Sequence, residues 1–306
     1  MSITKRIFLA ALVIGLTAAC SSPEPVPDQD PTAEVEGDTV GEAPEESEAD
    51  EALEDPARAA LEAAADGAHR SEEDRARNQY RNPVETMLFF GFEPGQSVVE
   101  LWPGRGWYTG VLAPASGADV PLRAGIFAMD EDDPEDYRTR ITVEYLEWVQ
   151  TNQDALGPLE TGTFAPPEVA ELGEPESASL VVSFRNLHNM YNGGVLEDVL
   201  EAVHAVLEPG GVFGVVQHRA PQGSDPDETS ENGYLSEQFV KETVEAAGFV
   251  VDGTSEINAN PMDTADHPDG VWSLPPSLRG GEEDAERFLE IGESDRMTIR
   301  FVKPAQ

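Results

Sequence analysis

The sequence predicts an α/β protein built on an open, mostly parallel sheet with helices on both faces. Three observations predict it. Strand-like and helix-like segments alternate from Ser97 onward. The run LVVSF at 180–184 is apolar without alternation, as in strands that are covered on both faces. The chain has 306 residues, 39% of them hydrophobic, which is enough to bury one sizeable core.

The elements before the sheet are predicted from helix propensity and end signals. Residues 56–65 favour a helix, and Ser71 with Asp74 forms a capping box that opens a short second one. Pro83 suits the first position of a further helix, and Gly91 suits its end.

Strands and helices then follow in turn, each bounded by a turn signal. Apolar residues spaced at helical intervals predict a helix over 195–207, and Gly248 stops the helix predicted over 235–247. The last segment, RMTIRFV, alternates with the period of a strand. Strands are predicted at 97–101, 124–129, 159–164, 180–184, 212–217, 249–252 and 296–302, and the remaining helices at 107–113 and 143–149.

The N-terminus has the pattern of an export signal. Lys5 and Arg6 precede an apolar run at 7–19, which is shorter than the roughly 20 residues that span a bilayer. The run ends in LTAAC, which resembles the lipobox of bacterial lipoproteins and implies cleavage before Cys20 and its lipidation. We therefore expect a lipid-anchored protein of the bacterial cell envelope that faces the periplasm. An ordinary secretory signal is the alternative.

An acidic tether is predicted between the anchor and the folded domain. Residues 21–60 contain 14 acids and one base, with many prolines and few large apolar side chains. Such a segment cannot bury enough surface to offset its ordering entropy. The expected division is a signal peptide at 1–19, a disordered tether at 20–60 and an enzyme-like domain at 61–306.

The charge of the chain excludes one large class of partners. Sixty acids against 19 basic residues give a formal net charge of −41, which repels nucleic acid and anionic membrane surfaces. Membrane contact is therefore expected through the anchor at Cys20 only, and a small molecule is the expected ligand. Cys20 is the single cysteine, so no intramolecular disulfide can form. No sequence feature predicts an oligomeric state.

Polar residues follow several of the predicted strands, where open parallel sheets bind their ligands. Glu100 ends the first strand, and Gly104 and Gly106 follow in a turn that lets a ligand approach the backbone. Asp130 follows the second strand, and a carboxylate there can accept both hydroxyls of a ribose. These positions favour a nucleoside ligand, although a G-x-G turn also serves simple packing.

Five longer motifs resemble one family. ELWPGRGWYT at 100–109, FRNLHN at 184–189, EINANP at 256–261, GVWSLPP at 270–276 and IGESDRM at 291–297 are together similar to class I S-adenosylmethionine (SAM)-dependent methyltransferases. The group they most resemble consists of predicted methyltransferases that often have signal peptides. The resemblance implies a Rossmann-like sheet of seven strands, the last one antiparallel, and SAM as cofactor.

The resemblance also implies roles for individual residues. It places Glu100, Gly104 and Gly106 at the methionine part of SAM, and Asp130, or Glu131 with a shifted register, at the ribose. It places the turn after Phe164 at the adenine. It places Arg185 and Asn186 in the cleft beside the sulfonium.

Trp102 departs from the family pattern, because it stands where the common loop has its first glycine. An indole that packs away from the cleft leaves the loop able to take the cofactor. An indole that fills the space left open by that glycine indicates a scaffold that has lost SAM.

Two histidines are candidate catalytic bases. An imidazole with a pKa near 6.5 can take a proton at neutral pH, and His188 and His218 both follow predicted strands. Each can instead be structural. Arg185 can orient an anionic substrate, or pair with Glu100 or Asp130.

Three functions remain open at this point, because SAM is made in the cytoplasm whereas the leader predicts export. The first is a methyltransferase acting on a small molecule or an envelope component. The second is a non-catalytic exported binding protein on the same scaffold. The third, less favoured, is a metal-dependent site using the two histidines and nearby carboxylates.

Overall fold

The computed structural model describes residues 55–280 and 282–305. The predicted signal peptide, the lipidation site at Cys20 and the tether up to residue 54 lie outside the described residues.

Among residues 55–97, four short helices precede the sheet: α1 (Pro56–Ala65), α2 (Glu72–Ala76), α3 (Asn78–Arg81) and α4 (Pro83–Phe89). The Ser71 hydroxyl accepts the Asp74 amide hydrogen at 3.0 Å, which confirms the predicted cap of α2. Helix α1 begins inside the segment predicted as tether. Its Leu61 is fully buried, so its apolar face offsets the cost of ordering this part of the chain.

In the described part of the chain, eight strands form the sheet. They are β1 (Val98–Leu101), β2 (Leu122–Ile126), β3 (Leu159–Thr163), β4 (Ala178–Phe184), β5 (Leu207–Ala220), β6 (Leu235–Ser236), β7 (Val250–Ser255) and β8 (Arg296–Val302). The remaining helices are α5 (Thr109–Ser116), α6 (Tyr137–Leu156), α7 (Leu187–Asn192), α8 (Leu196–Val206), α9 (Pro226–Thr229), α10 (Glu237–Ala246) and α11 (Glu282–Ile291), with 3₁₀ turns at Ser230–Asn232 and Gly270–Ser273.

The strand order is β3-β2-β1-β4-β5-β8-β7, with β6 paired to the end of β5. Strand β8 is antiparallel to both β5 and β7 and lies between them, while the other pairings are parallel. The mostly parallel α/β sheet is therefore confirmed, including an antiparallel last strand. The order reverses between β1 and β4, which is where such sheets open a crevice for ligands.

The core lies on both faces of the sheet, and β4 shows why its sequence lacks alternation. Val181 packs in a cluster with Leu200 and Val203 of α8, whereas Val182 packs on the opposite face with Val111 and Leu112 of α5. Both faces of β4 are thus covered by helices, and an apolar run is the expected composition.

Several boundaries differ from the prediction. Strand β2 ends at Ile126 rather than at residue 129, and α6 covers 20 residues rather than the predicted 143–149. Helix α6 starts early because the Asp136 carboxylate accepts the amide hydrogens of Arg138 and Thr139. Helix α11 was not predicted at all.

Within the described part of the chain, no helix is both long and apolar enough to cross a membrane.

Candidate active site

A cavity of about 520 Å³ opens at the carboxyl ends of β1, β4 and β5, within the usual range of ligand pockets. The segment from Val271 to Arg279 forms one wall. The residues that line the cavity include Arg77, Arg81, Glu100, Trp102, Gly104, Tyr137, Ile141, Arg185, Asn186, His188, His218, Glu293 and Ser294.

The chain turns sharply after β1 at Trp102. Its amide still donates to Gly125 O at 2.8 Å, but its φ of 46° lies in the left-handed region. That region disfavours residues with a side chain by about 1–2 kcal/mol. Non-glycine residues persist there only when their surroundings hold them, and such positions cluster at functional sites.

The Trp102 indole points toward the ends of β2 and β3 and is almost completely buried. Its ring centroid lies 4.7 Å from that of Phe127 and 6.3 Å from that of Phe164. Its Nε1 donates to Phe164 O at 2.9 Å. The indole is therefore fixed by packing and a hydrogen bond, and it leaves the space above Gly104 open. The bond does, however, use a carbonyl at the turn where the resemblance placed adenine.

The two glycines of the turn differ in what surrounds them. Gly104 has a φ of 61° and would place a Cβ in open space, whereas a Cβ on Gly106, with a φ of 84°, would lie 2.6 Å from Trp148 Cζ3. Gly104 therefore exposes backbone to the cavity, and Gly106 permits close packing against α6.

Matched alanine substitutions should separate these two roles. We expect Gly104→Ala to lower the free energy of unfolding by about 1–2 kcal/mol, from backbone strain only. Gly106→Ala should lower it by about 1–3 kcal/mol more, because the indole of Trp148 must also move. Urea unfolding measures both, and equal losses would contradict the assigned roles.

Glu100 is buried near the end of β1, where β1 pairs with β2 on one side and with β4 on the other. The Thr109 hydroxyl donates to its Oε2 at 2.6 Å. Burial raises the pKa of Glu100 to about 7, against the opposing effects of the Thr109 hydrogen bond and the positive charge of Arg185. A carboxylate this costly to bury is suited to receiving a cationic group from a ligand.

The turn after β4, like the turn after β1, contains a non-glycine residue with a positive φ. Arg185 donates its amide hydrogen to Val216 O at 2.7 Å and has a φ of 63°. Asn186 then donates from Nδ2 to Trp102 O at 3.0 Å, which ties the two turns together. Asn186 thus supports the loop that the resemblance assigned to the cofactor.

The guanidinium of Arg185 makes no ion pair or hydrogen bond with any described side chain, and its Nε is buried without a partner. The pairing with Glu100 or Asp130 allowed by the sequence is thus not formed. Burial lowers the pKa of Arg185 to about 10, partly offset by the charge of Glu293. The group stays cationic at neutral pH.

Glu293 lies beside the cavity at the centre of a cluster of arginines. Its carboxylate accepts from Arg77 Nε at 2.6 Å, Arg81 Nε at 2.9 Å and Arg296 Nη1 at 3.1 Å. Glu293, Arg81 and Arg296 are almost completely buried. With Arg185 nearby, four guanidinium groups surround one carboxylate, so this end of the cavity is positive.

His188 is held by Gln217, whose orientation is set by its donation to Gly233 O at 2.9 Å. The same amide nitrogen lies 3.2 Å from His188 Nδ1 and the amide oxygen lies 3.5 Å from it; we assign the shorter contact as the hydrogen bond, in which Nδ1 accepts. Burial lowers the pKa of His188 to about 4. The ring is thus neutral at pH 7 with its proton at Nε2, which makes it a hydrogen-bond donor rather than a base.

His218 lies 5.7 Å from His188 between ring centroids, and its Nδ1 is 2.5 Å from Ser294 Oγ. Burial, with the neighbouring His188 and Arg185, lowers the pKa of His218 well below its usual value. The serine hydroxyl can donate or accept, so both neutral tautomers are compatible with this contact. His218 is the stronger of the two candidates for a base.

Asp130 does not lie at the end of its strand. Strand β2 ends four residues earlier, and the Asp130 carboxylate accepts the amide hydrogen of Asp132 at an exposed position outside the cavity lining. Glu131 is exposed as well. The structure thus gives the ribose assignment of either acid no support.

Among residues 55–280 and 282–305, no set of three or more His, Cys, Asp or Glu side chains is arranged to hold a metal ion. The metal-dependent alternative gains no support from this part of the chain.

The arginine cluster was missed from the sequence. Arg77 and Arg81 precede the sheet, whereas Glu293 and Arg296 belong to the IGESDRM motif more than 200 residues later. The motif itself was the available signal, since an acid and an arginine three positions apart in a buried segment require partners.

Comparison with known proteins identifies the fold. No protein-family model matches the chain, and no curated protein matches its sequence. The chain is similar to the crystal structure of a SAM-dependent methyltransferase from Aquifex aeolicus, with 14% identity and a TM-score of 0.50 over 80% of this chain and 98% of that one. It is also similar to the [4+2]-cyclase SpnF, with 11% identity and a TM-score of 0.50 over 82% and 94% of the two chains.

At these identities the similarity shows the fold and not the reaction, and one of the two neighbours is named as a cyclase. The predicted Rossmann-like fold is confirmed: the chain has the mixed α/β architecture of SAM-dependent methyltransferases.

Proposed function

We propose that the protein is a SAM-dependent methyltransferase that acts on a small molecule or an envelope component. The observation that supports it most is the position of Glu100. In this methyltransferase-like fold, a buried carboxylate at the switch point lies beside an open glycine, Gly104, on the wall of the cavity.

The residues present fit the cofactor at both ends. Glu100 suits an ammonium group, because a cation would relieve the cost of its buried charge. Gly104 lets backbone approach a ligand closely. At the other end, Tyr137 and Ile141 line the cavity and offer an apolar, partly aromatic surface that suits a nucleobase.

When bound, SAM supplies an activated methyl group, which the electron pair of an acceptor attacks while the electrons of the carbon–sulfur bond return to sulfur. The chain's own residues mainly align the acceptor, and alignment contributes about 7–11 kcal/mol in favourable cases. His188 offers Nε2 as a hydrogen-bond donor to an acceptor substrate, and His218 is the candidate to remove a proton from an acceptor that starts protonated. Asn186 holds the turn after β1 in place.

Calorimetry of the full-length protein with S-adenosylhomocysteine tests this proposal. We expect micromolar binding with one site per chain. Absence of binding up to millimolar concentration would remove the cofactor assignment. It would favour the second function, a non-catalytic binding protein, for which the Trp102–Phe164 hydrogen bond at the expected adenine position is the specific support.

Export to the cell envelope, with an anchor at Cys20, stays part of the proposal on the sequence alone. An exported methyltransferase would need a supply of SAM outside the cytoplasm. An acceptor in the envelope is the consistent choice for such an enzyme.

A further inference from the structure

The inner part of the cavity contains a cation, Arg185, that pairs with no acid of the described residues. The chain has 60 acids against 19 basic residues, so a free arginine in a carboxylate-rich molecule is unexpected. Arg185 nevertheless has no ion-pair partner among the described side chains, and its Nε is buried without an acceptor. Its backbone is also held in the left-handed region.

The surroundings of Arg185 add further positive charge to this part of the cavity. Four guanidinium groups share one carboxylate, Glu293, which already accepts hydrogen bonds from three of them. The other cavity-lining carboxylate of the described residues, Glu100, has a pKa raised to about 7 and is only partly charged at neutral pH. This region therefore has a net positive charge in a molecule that is otherwise strongly negative.

We propose that Arg185 binds an oxyanion of the methyl acceptor, so that the substrate is a small acid bearing a carboxylate or a phosphate. A guanidinium presents paired donors that match either group. His188 lines the same cavity and has its proton at Nε2, so it can add a second donor. The description of this anion as the methyl acceptor rests on the proposed function, whereas the anion site itself does not.

The histidines are consistent with an anionic acceptor. Burial lowers the pKa of His188 to about 4, and that of His218 falls well below its usual value. Such rings are weak bases at neutral pH. An acceptor oxygen that is already an oxyanion needs no base before it takes the methyl group, because its electron pair is already free.

The test compares full-length wild type with Arg185→Met, using benzoate and inorganic phosphate as probes and benzamide as the neutral counterpart of benzoate. Calorimetry at low ionic strength should show millimolar or tighter binding of at least one anion and much weaker binding of benzamide. The anion preferred by wild type distinguishes a carboxylate from a phosphate acceptor. Arg185→Met should weaken binding of that anion at least about tenfold, as expected from loss of a charge-assisted hydrogen bond.

Arg58→Met is the matched control, because it removes the same charge from an exposed pair with Glu85 that is not part of the cavity lining. It should leave anion binding unchanged. The melting temperature of ligand-free Arg185→Met should equal or exceed that of wild type, since the variant loses an uncompensated cation. A lower melting temperature would indicate a structural role and overturn the proposal.

Binding of S-adenosylhomocysteine separates the remaining outcomes. Affinity retained in Arg185→Met supports the acceptor site. Affinity lost in that variant, with competition between the anion and S-adenosylhomocysteine in wild type, would assign Arg185 to the cofactor and overturn the inference. Equal anion binding by wild type and variant, or no anion binding by wild type, would also overturn it. Anion binding that depends on Arg185 in a protein that ignores S-adenosylhomocysteine would keep the anion site and remove the proposed function instead.

Discussion

Replacing Glu293 with glutamine should lower the free energy of unfolding by about 3–5 kcal/mol, the usual cost of removing one partner from a buried ion cluster. The side chain of Glu293 is 4% exposed, and its carboxylate pairs with Arg77, Arg81 and Arg296. Glutamine has nearly the same shape but no charge. It would leave two almost fully buried guanidinium groups, those of Arg81 and Arg296, without a counterion.

Urea denaturation at neutral pH measures this effect through the transition midpoint and slope. Glu290→Gln is the control, because Glu290 is an exposed residue of α11 with no ion pair among the described side chains. We expect the control to change stability by less than about 0.5 kcal/mol. A loss of similar size in both variants would show that Glu293 does not neutralise the cluster.

Glu100→Gln should have opposite effects on stability and on binding. The folded-state pKa of Glu100 is about 7, against 4.5 for an unperturbed glutamate. Because the folded pKa is the higher one, the favourable contribution of the protonated carboxyl is complete below about pH 4.5 and is lost as the pH rises through about 7. The free energy of unfolding of wild type should therefore fall by on the order of 3 kcal/mol as the pH rises through this range.

The variant cannot ionise at this position and should therefore escape that loss. Melting temperatures recorded from pH 4.5 to 8 should fall less in Glu100→Gln than in wild type, with the two curves separating between pH 5 and 7. Glu93→Gln, at an exposed glutamate before β1, should follow wild type throughout. Parallel curves for Glu100→Gln and wild type would mean that Glu100 is not held in the protonated form by burial.

The proposed function adds a binding result for the same variant. A hydrogen bond to a charged group contributes about 1.5–3 kcal/mol, so Glu100→Gln should bind S-adenosylhomocysteine roughly 10- to 100-fold more weakly. A variant that is more stable at pH 8 and binds less well would identify Glu100 as a ligand-binding residue rather than a packing residue.

Local sequence pattern was sufficient to predict the sheet and the position of part of the candidate site. The apolar run of β4 and the alternation of β8 predicted buried strands because each strand's composition reflects which faces are covered. The same reasoning placed Glu100 and Arg185 at the rim, since the residues at the carboxyl ends of parallel strands meet at one edge. The capping signals of α2 and α4 were likewise local, and the structure confirms them.

The expected place of Asp130 at the end of a strand depended on a strand boundary. Strand β2 stops at Ile126, where Phe127 turns to pack against Trp102, and a shift of a few residues moved the carboxylate from the rim to an exposed position. The direction of the Trp102 indole could not be predicted from local sequence either. It depends on rings and a carbonyl supplied by the ends of two other strands.

By itself, then, the sequence determined the α/β class, the strand and helix pattern and the rim on which the chemistry lies, because these follow from burial and periodicity along a few neighbouring residues. Only the tertiary structure decided which charges meet there. Glu293 neutralises arginines more than 200 positions away, and Arg185 is left without an ion-pair partner among the residues that the structure describes. Charge compensation depends on distances in space, and spacing along the chain does not specify them.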